Sequence, residues 1–206
     1  MVVGVTGRIG SGKSAFCEIL SKAHGCPVID ADALGHEALR TSEKVRGELI
    51  ERFGREILDP AGGVDRGRLA KIVFAETSAL ADLNAIVHPW IVAQILARLA
   101  ALRARGHAGI VLLDAALLLP WKEQLPLDWI VWVRSPDCVA IERLHLRGMP
   151  EEEARRRLAS QVPEEEFRRH ANTIVDNAGD RGALERQADR LWDLLARAQR
   201  GKEGTR

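Results

Sequence analysis

Between Gly7 and Ser14 the chain reads Gly-Arg-Ile-Gly-Ser-Gly-Lys-Ser, which fits the pattern G-x-x-x-x-G-K-S/T. Glycines at that spacing let consecutive main-chain N–H groups turn inward around a polyphosphate, since no Cβ obstructs them. A helix beginning at the lysine adds its unpaired first-turn amides and the positive end of its dipole. Lys13 can then reach the β- and γ-phosphates, and the Ser14 hydroxyl can ligate Mg²⁺. The pattern needs a strand before it and a helix after it. "MVVGVT" and "KSAFCEILSKAH" supply both. The competing reading, a flexible Gly/Ser turn with a solvated lysine, accounts for neither neighbour. The expected activity therefore begins with a nucleoside triphosphate.

Two further carboxylates fall where ligands collect in open α/β sheets, at the carboxyl ends of strands. Asp30 and Asp32 stand at the end of the apolar run in "VIDAD". Taken alone, Asp32 ahead of a helix reads as an N-cap. Beside a phosphate loop, an aspartate there can accept the proton of an acceptor hydroxyl and help position Mg²⁺. Asp114 ends the third apolar run and can either hold Mg²⁺ through water or cap the outgoing loop.

The elements that must position these groups follow from periodicity. Val2–Thr6, Pro27–Ile29, Ile110–Leu113, Trp129–Val133 and Thr173–Val175 read as strands, with longer helical segments between them. Alternation of this kind implies a parallel sheet covered by crossover helices on both faces. The strands run apolar without alternating, as strands covered on both faces do. A long helical stretch separates the second and third strands and contains the turn "DPAGGVDRGRLA", so a helical subdomain is expected there. Near 143–170 a charged helical pair is punctuated by Pro150 and Pro163. Each proline precedes a run of glutamates that oppose the helix dipole.

With 206 residues, 46% of them hydrophobic, the chain can bury one α/β core. Its 30 Lys and Arg nearly balance 29 Asp and Glu, which argues against attachment to nucleic acid or anionic lipid through bulk charge. Cys17, Cys26 and Cys138 show no metal-ligand spacing and read as reduced thiols of a cytoplasmic protein. The opening residues lack the features of a secretion signal. No apolar stretch is expected to reach the roughly 18 residues of a spanning helix; the longest, "GIVLLDAALLLPW", is broken by Asp114.

The motifs "TGRIGSGKS", "VIDAD", "VHP", "LLD", "RLHLRGMPEEEA" and "IVDNAG" occur in the order and spacing of dephospho-coenzyme A kinases. The resemblance covers about residues 2–195. It implies a P-loop NTPase fold of three layers with a five-stranded parallel sheet. The core would span 1–31, 107–140 and 171–200, a helical CoA subdomain about 32–106, and a helical lid about 141–170. It also implies transfer of the γ-phosphate of ATP to the ribose 3′-hydroxyl of dephospho-CoA, with Mg²⁺, in a monomer or small homo-oligomer. By this resemblance Gly10, Ser11, Gly12, Lys13, Ser14 and Ala15 bind ATP. Asn177 and Gly179 border its adenine, although "DNAG" also suits a plain turn. Asp32 matches the general base, and His88 and Pro89 lie near the acceptor. Arg143 and Arg147, at i and i+4, match lid arginines that close on the phosphates. Arg157 and Gln161 match a further lid pair expected on one helix face, while Arg155, Arg156, Arg168 and Arg169 are expected to be mostly solvated.

Three departures from the family pattern stand out. Ala15 follows Ser14 where threonine is common, Ala115–Pro120 replaces a "PLL.E" strand exit, and Gly148 replaces the aspartate of a lid "RD". The nearest competing reading is another small-molecule kinase, acting on a nucleoside, a nucleotide or shikimate. A GTPase-type switch is a second, but no N/T-K-x-D run follows Trp129–Val133.

Overall fold

A computed structural model describes residues 1–73 and 77–203. Five strands, β1 (Val2–Thr6), β2 (Val28–Asp30), β3 (Val111–Asp114), β4 (Trp129–Arg134) and β5 (Thr173–Asp176), form one sheet in the order β2-β3-β1-β4-β5. Pairing is parallel, with Val5 opposite Asp114, Thr6 opposite Trp132 and Val133 opposite Val175. β2 and β3 each begin one residue later than the sequence suggests. Pro27 has no N–H to give to a ladder, yet its carbonyl accepts from the Leu112 amide at 2.9 Å.

Nine helices occur among the described residues: α1 (Lys13–His24), α2 (Ala31–Thr41), α3 (Glu43–Phe53), α4 (Arg66–Val73), α5 (Thr77–Ala104), α6 (Asp137–Leu146), α7 (Glu151–Ala159), α8 (Glu164–His170) and α9 (Arg181–Glu203). Two compact units result, one made of 1–29 and 106–206, the other of 30–105.

In the first unit α1 and α9 pack together beside the sheet. Val3, Val5, Leu112, Val131 and Val133 from the strands meet Phe16, Leu20, Leu191 and Leu195 from the helices in one buried core. A smaller cluster of Ala140, Ile141, Leu144, Ala154 and Leu158 joins α6 to α7, with Ile9 of the glycine loop packed against it.

The second unit is helical, and α5 is its hub, in contact with α2, α3 and α4. Contrary to the expectation from uninterrupted apolar runs, Ser78–Ala104 is long and apolar enough to cross a membrane by length and composition. Scattered polar residues hide this in the linear sequence. Two of its charged positions are tied within the unit: Asp82 pairs with Arg52 at 2.6 Å and Arg98 with Glu37 at 2.6 Å. Val87, Ile91, Ile95 and Leu99 along the same helix are buried.

Candidate active site

The glycine loop connects β1 to α1 and takes its shape from backbone that only glycine adopts easily. Gly10 and Gly12 have φ of 77° and 89°, in the left-handed region where a Cβ is strained. A Cβ on Gly12 would also run into the Asn177 side-chain amide. Gly12 is the N-cap of α1 and brings no capping side chain, and the first turn has no acid. The first amides of α1 therefore have no side chain to cap them and suit an anion.

Lys13 Nζ lies 2.9 Å from Asp114 Oδ1, with side chains only 12% and 4% exposed. The structure thus gives Asp114 a role neither sequence reading named: it holds the loop lysine from the tip of the adjacent strand. Ser14 and Ala15 are exposed on the first turn of α1, and Ser11, within the loop, is buried.

Three side chains brace the loop from distant parts of the chain. Asn177, 5% exposed at the end of β5, donates its amide N–H to the Ser11 carbonyl at 2.8 Å. Arg143 donates to the Asn177 carbonyl at 2.9 Å and to its side-chain oxygen at 3.3 Å. Gln161 accepts from the Ile9 amide at 2.8 Å. The fourth brace, Arg8, carries no sequence signal because it occupies a variable position of the motif. It donates to Asp137 at 2.9 Å and to the Leu158 carbonyl at 3.0 Å, and so ties the loop to α6 and α7.

Two expected helix faces are altered. α6 stops at Leu146, leaving Arg147 as its exposed C-cap followed by Gly148 at φ 87°. Arg143 turns to the loop, while Arg147 lies past the last helical residue. α7 likewise ends at Ala159. Gln161 therefore lies beyond the helix, and Arg157 instead pairs with Glu153 at 2.6 Å. Arg155, Arg168 and Arg169 make the surface ion pairs expected of a solvated face. Gly179 is exposed in the turn after β5, beside Asp180, whose carboxylate caps α9 by accepting from Ala183 N at 2.7 Å.

In the helical unit Asp30, not Asp32, caps α2: its carboxylate accepts from the Ala33 amide at 2.9 Å. Asp32 is an exposed carboxylate of the first helical turn. His88 is half-buried in α5, and burial pushes its imidazole below the ordinary 6.5. Pro89 sits next to it inside that helix, where it has no N–H for the i−4 carbonyl.

A glycine loop at the carboxyl edge of a central parallel strand, with its lysine anchored from the neighbouring strand, defines a P-loop NTPase fold. The fold is shared with a shikimate kinase from Acinetobacter baumannii (16% identity, 96% of this chain and 93% of that one, TM-score 0.52). A dephospho-CoA kinase from Campylobacter jejuni superposes more fully (25% identity, 94% and 96% of the two chains, TM-score 0.61). Relatives described as dephospho-CoA kinase include one from Thermobifida fusca, 40% identical over 95% of this chain and 96% of its own. Another, from Anaeromyxobacter dehalogenans, is 40% identical over 98% and 94%. The family model for dephospho-CoA kinase matches residues 1–182, and the chain belongs to that family.

Proposed function

We propose that the protein transfers the γ-phosphoryl group of ATP to the ribose 3′-hydroxyl of dephospho-CoA, giving coenzyme A and ADP. The observation that carries this reading is a complete glycine loop in a chain matching dephospho-CoA kinases over nearly its whole length. The amides of residues 10–15 cradle the β- and γ-phosphates. Asp114 holds Lys13 close to the loop, so its ammonium has little distance to travel to a phosphate. Arg143 fixes Asn177 and the Ser11 carbonyl, which keeps the loop and its adenine-side neighbour in register; with Arg147 it belongs to the closing segment.

Asp32 takes the proton from the 3′-hydroxyl as the new O–P bond forms. The bond between the γ-phosphorus and its bridging oxygen breaks, and ADP carries away the electron pair. That Asp30, not Asp32, accepts from the Ala33 amide supports this assignment. His88, Pro89, Arg157 and Gln161 belong to acceptor binding. Residues 141–170 act as the lid that excludes water from the transferring group.

The donors for Mg²⁺ would be the Ser14 hydroxyl and the Asp114 carboxylate through water, both hard oxygens that suit it. Among the described residues no cluster of three His, Cys, Asp or Glu forms a cage, which fits an ion held largely by substrate phosphates. Bound there, the ion would neutralise charge on the β- and γ-phosphate oxygens.

The enzyme works in the cytoplasm as a monomer or small homo-oligomer, without nucleic acid or membrane; near-balanced charge supports only the lack of bulk attachment to polyanions. The deciding measurement is ADP release with ATP and dephospho-CoA, repeated with AMP, shikimate and adenosine. Strong turnover is expected with dephospho-CoA alone, and stronger turnover with shikimate or AMP would overturn the reading.

A further inference from the structure

In the helical unit, α2 and the turn leading into α4 wall a cavity of about 570 Å³, within the size range of small-ligand sites. Ala33, His36, Glu37 and Arg40 fall at i, i+3, i+4 and i+7, so one face of α2 lines it. Asp59 and Arg66 line it as well.

The charges in this cavity are unevenly matched. Glu37 is engaged by Arg98 at 2.6 Å. The Asp59 carboxylate is turned to its own loop, accepting from the Ala61 and Gly63 amides at 2.8 and 2.9 Å. Arg66 donates to His36 Nε2 at 2.8 Å. A guanidinium has no acceptor, so that nitrogen must present a lone pair and the partner is a neutral ring. Among the described residues no carboxylate pairs with either Arg66 or Arg40. Two guanidinium groups, one on a neutral partner, therefore face a ligand-sized space. Planar forks of donors match phosphate oxygens two at a time.

We propose that this pocket binds the diphosphate bridge of the acceptor, gripped by Arg40 and Arg66, with His36 holding Arg66 in place until the anion arrives. The proposal rests on the reading of dephospho-CoA as acceptor, whose adenosine and pantetheine halves are joined by a diphosphate. It assigns the acceptor an anion site of its own, separate from the glycine loop that serves ATP.

Two measurements on the full chain test it. In the first, inorganic pyrophosphate is titrated while the ¹⁵N resonance of the His36 ring is followed. The resonance is expected to move as Arg66 leaves Nε2, and adenosine, which has no phosphate, is expected to leave it still. In the second, titration calorimetry compares wild type with Arg40→Gln/Arg66→Gln. Loss of two charge-assisted contacts should weaken dephospho-CoA binding by roughly 10- to 100-fold. Binding of Mg-ATP should stay as in wild type, and Arg66→Lys should lie between. Unchanged dephospho-CoA affinity in the double variant, with a wild-type circular dichroism spectrum, would overturn the pocket. So would equal weakening of ATP and dephospho-CoA. A silent His36 ring in an enzyme that phosphorylates dephospho-CoA would overturn the pocket and spare the reading. A responsive ring without that activity would overturn the reading and leave an anion site standing.

Discussion

At the loop lysine, two demands meet on one side chain. In the proposed reaction Lys13 serves a phosphate, yet it sits in a nearly dry site against Asp114. Removing the lysine leaves a carboxylate that is only 4% exposed without its cation. Lys13→Met should therefore cost about 3 kcal/mol of stability as well as turnover. Asp114→Asn added to Lys13→Met should recover part of that stability and none of the turnover. Urea denaturation of the two variants checks this. Asp32 is a different case, because Asp30 already caps the helix. Asp32→Asn should leave the melting temperature and ATP affinity in place while turnover falls roughly 10²- to 10⁴-fold. Unchanged turnover would remove Asp32 from the base role.

Among the elements, the glycine loop depends on backbone shape and on braces arriving from far along the chain. Gly12→Ala puts a Cβ at φ 89° against the Asn177 amide. The left-handed conformation alone costs about 1–2 kcal/mol. ATP affinity should drop sharply, as read by calorimetry, because the first amides of α1 shift with the loop. Gln161→Ala releases the Ile9 amide and should cost about 1 kcal/mol. It should also quicken hydrogen exchange at Ile9 without changing that at Ala154 in the body of α7. An unchanged Ile9 exchange rate would mean that Gln161 does not restrain the loop. α5 shows the reverse relation between element and residue: its apolar face is committed to α2, α3 and α4, and two of its charged interruptions are tied by ion pairs.

Across the molecule, stability should depend on pH through His88. Burial lowers its folded-state pKa, so the unfolded chain binds the proton more readily. The stabilisation is complete above the unfolded value near 6.5 and is lost as pH falls through the lower, folded value. The denaturation midpoint should decline on acidification from pH 7, and His88→Gln should flatten that slope. A parallel slope in both proteins would assign it to other groups.

Much of this architecture was legible in the linear sequence. Strand alternation marked the parallel sheet, the helical stretch after β2 stood out, and the phosphate loop was plain, because each depends on local residue order. Helix ends were harder to read. The faces joining Arg143 to Arg147 and Arg157 to Gln161 assumed helices that stop at Leu146 and Ala159, where backbone turns decide against side-chain spacing. Local order by itself determined the loop, its lysine and the strands that flank them. Only the tertiary structure decided that Asp114, Asn177, Arg143 and Gln161 would hold that loop, because strand order and long-range packing bring together residues more than a hundred positions apart.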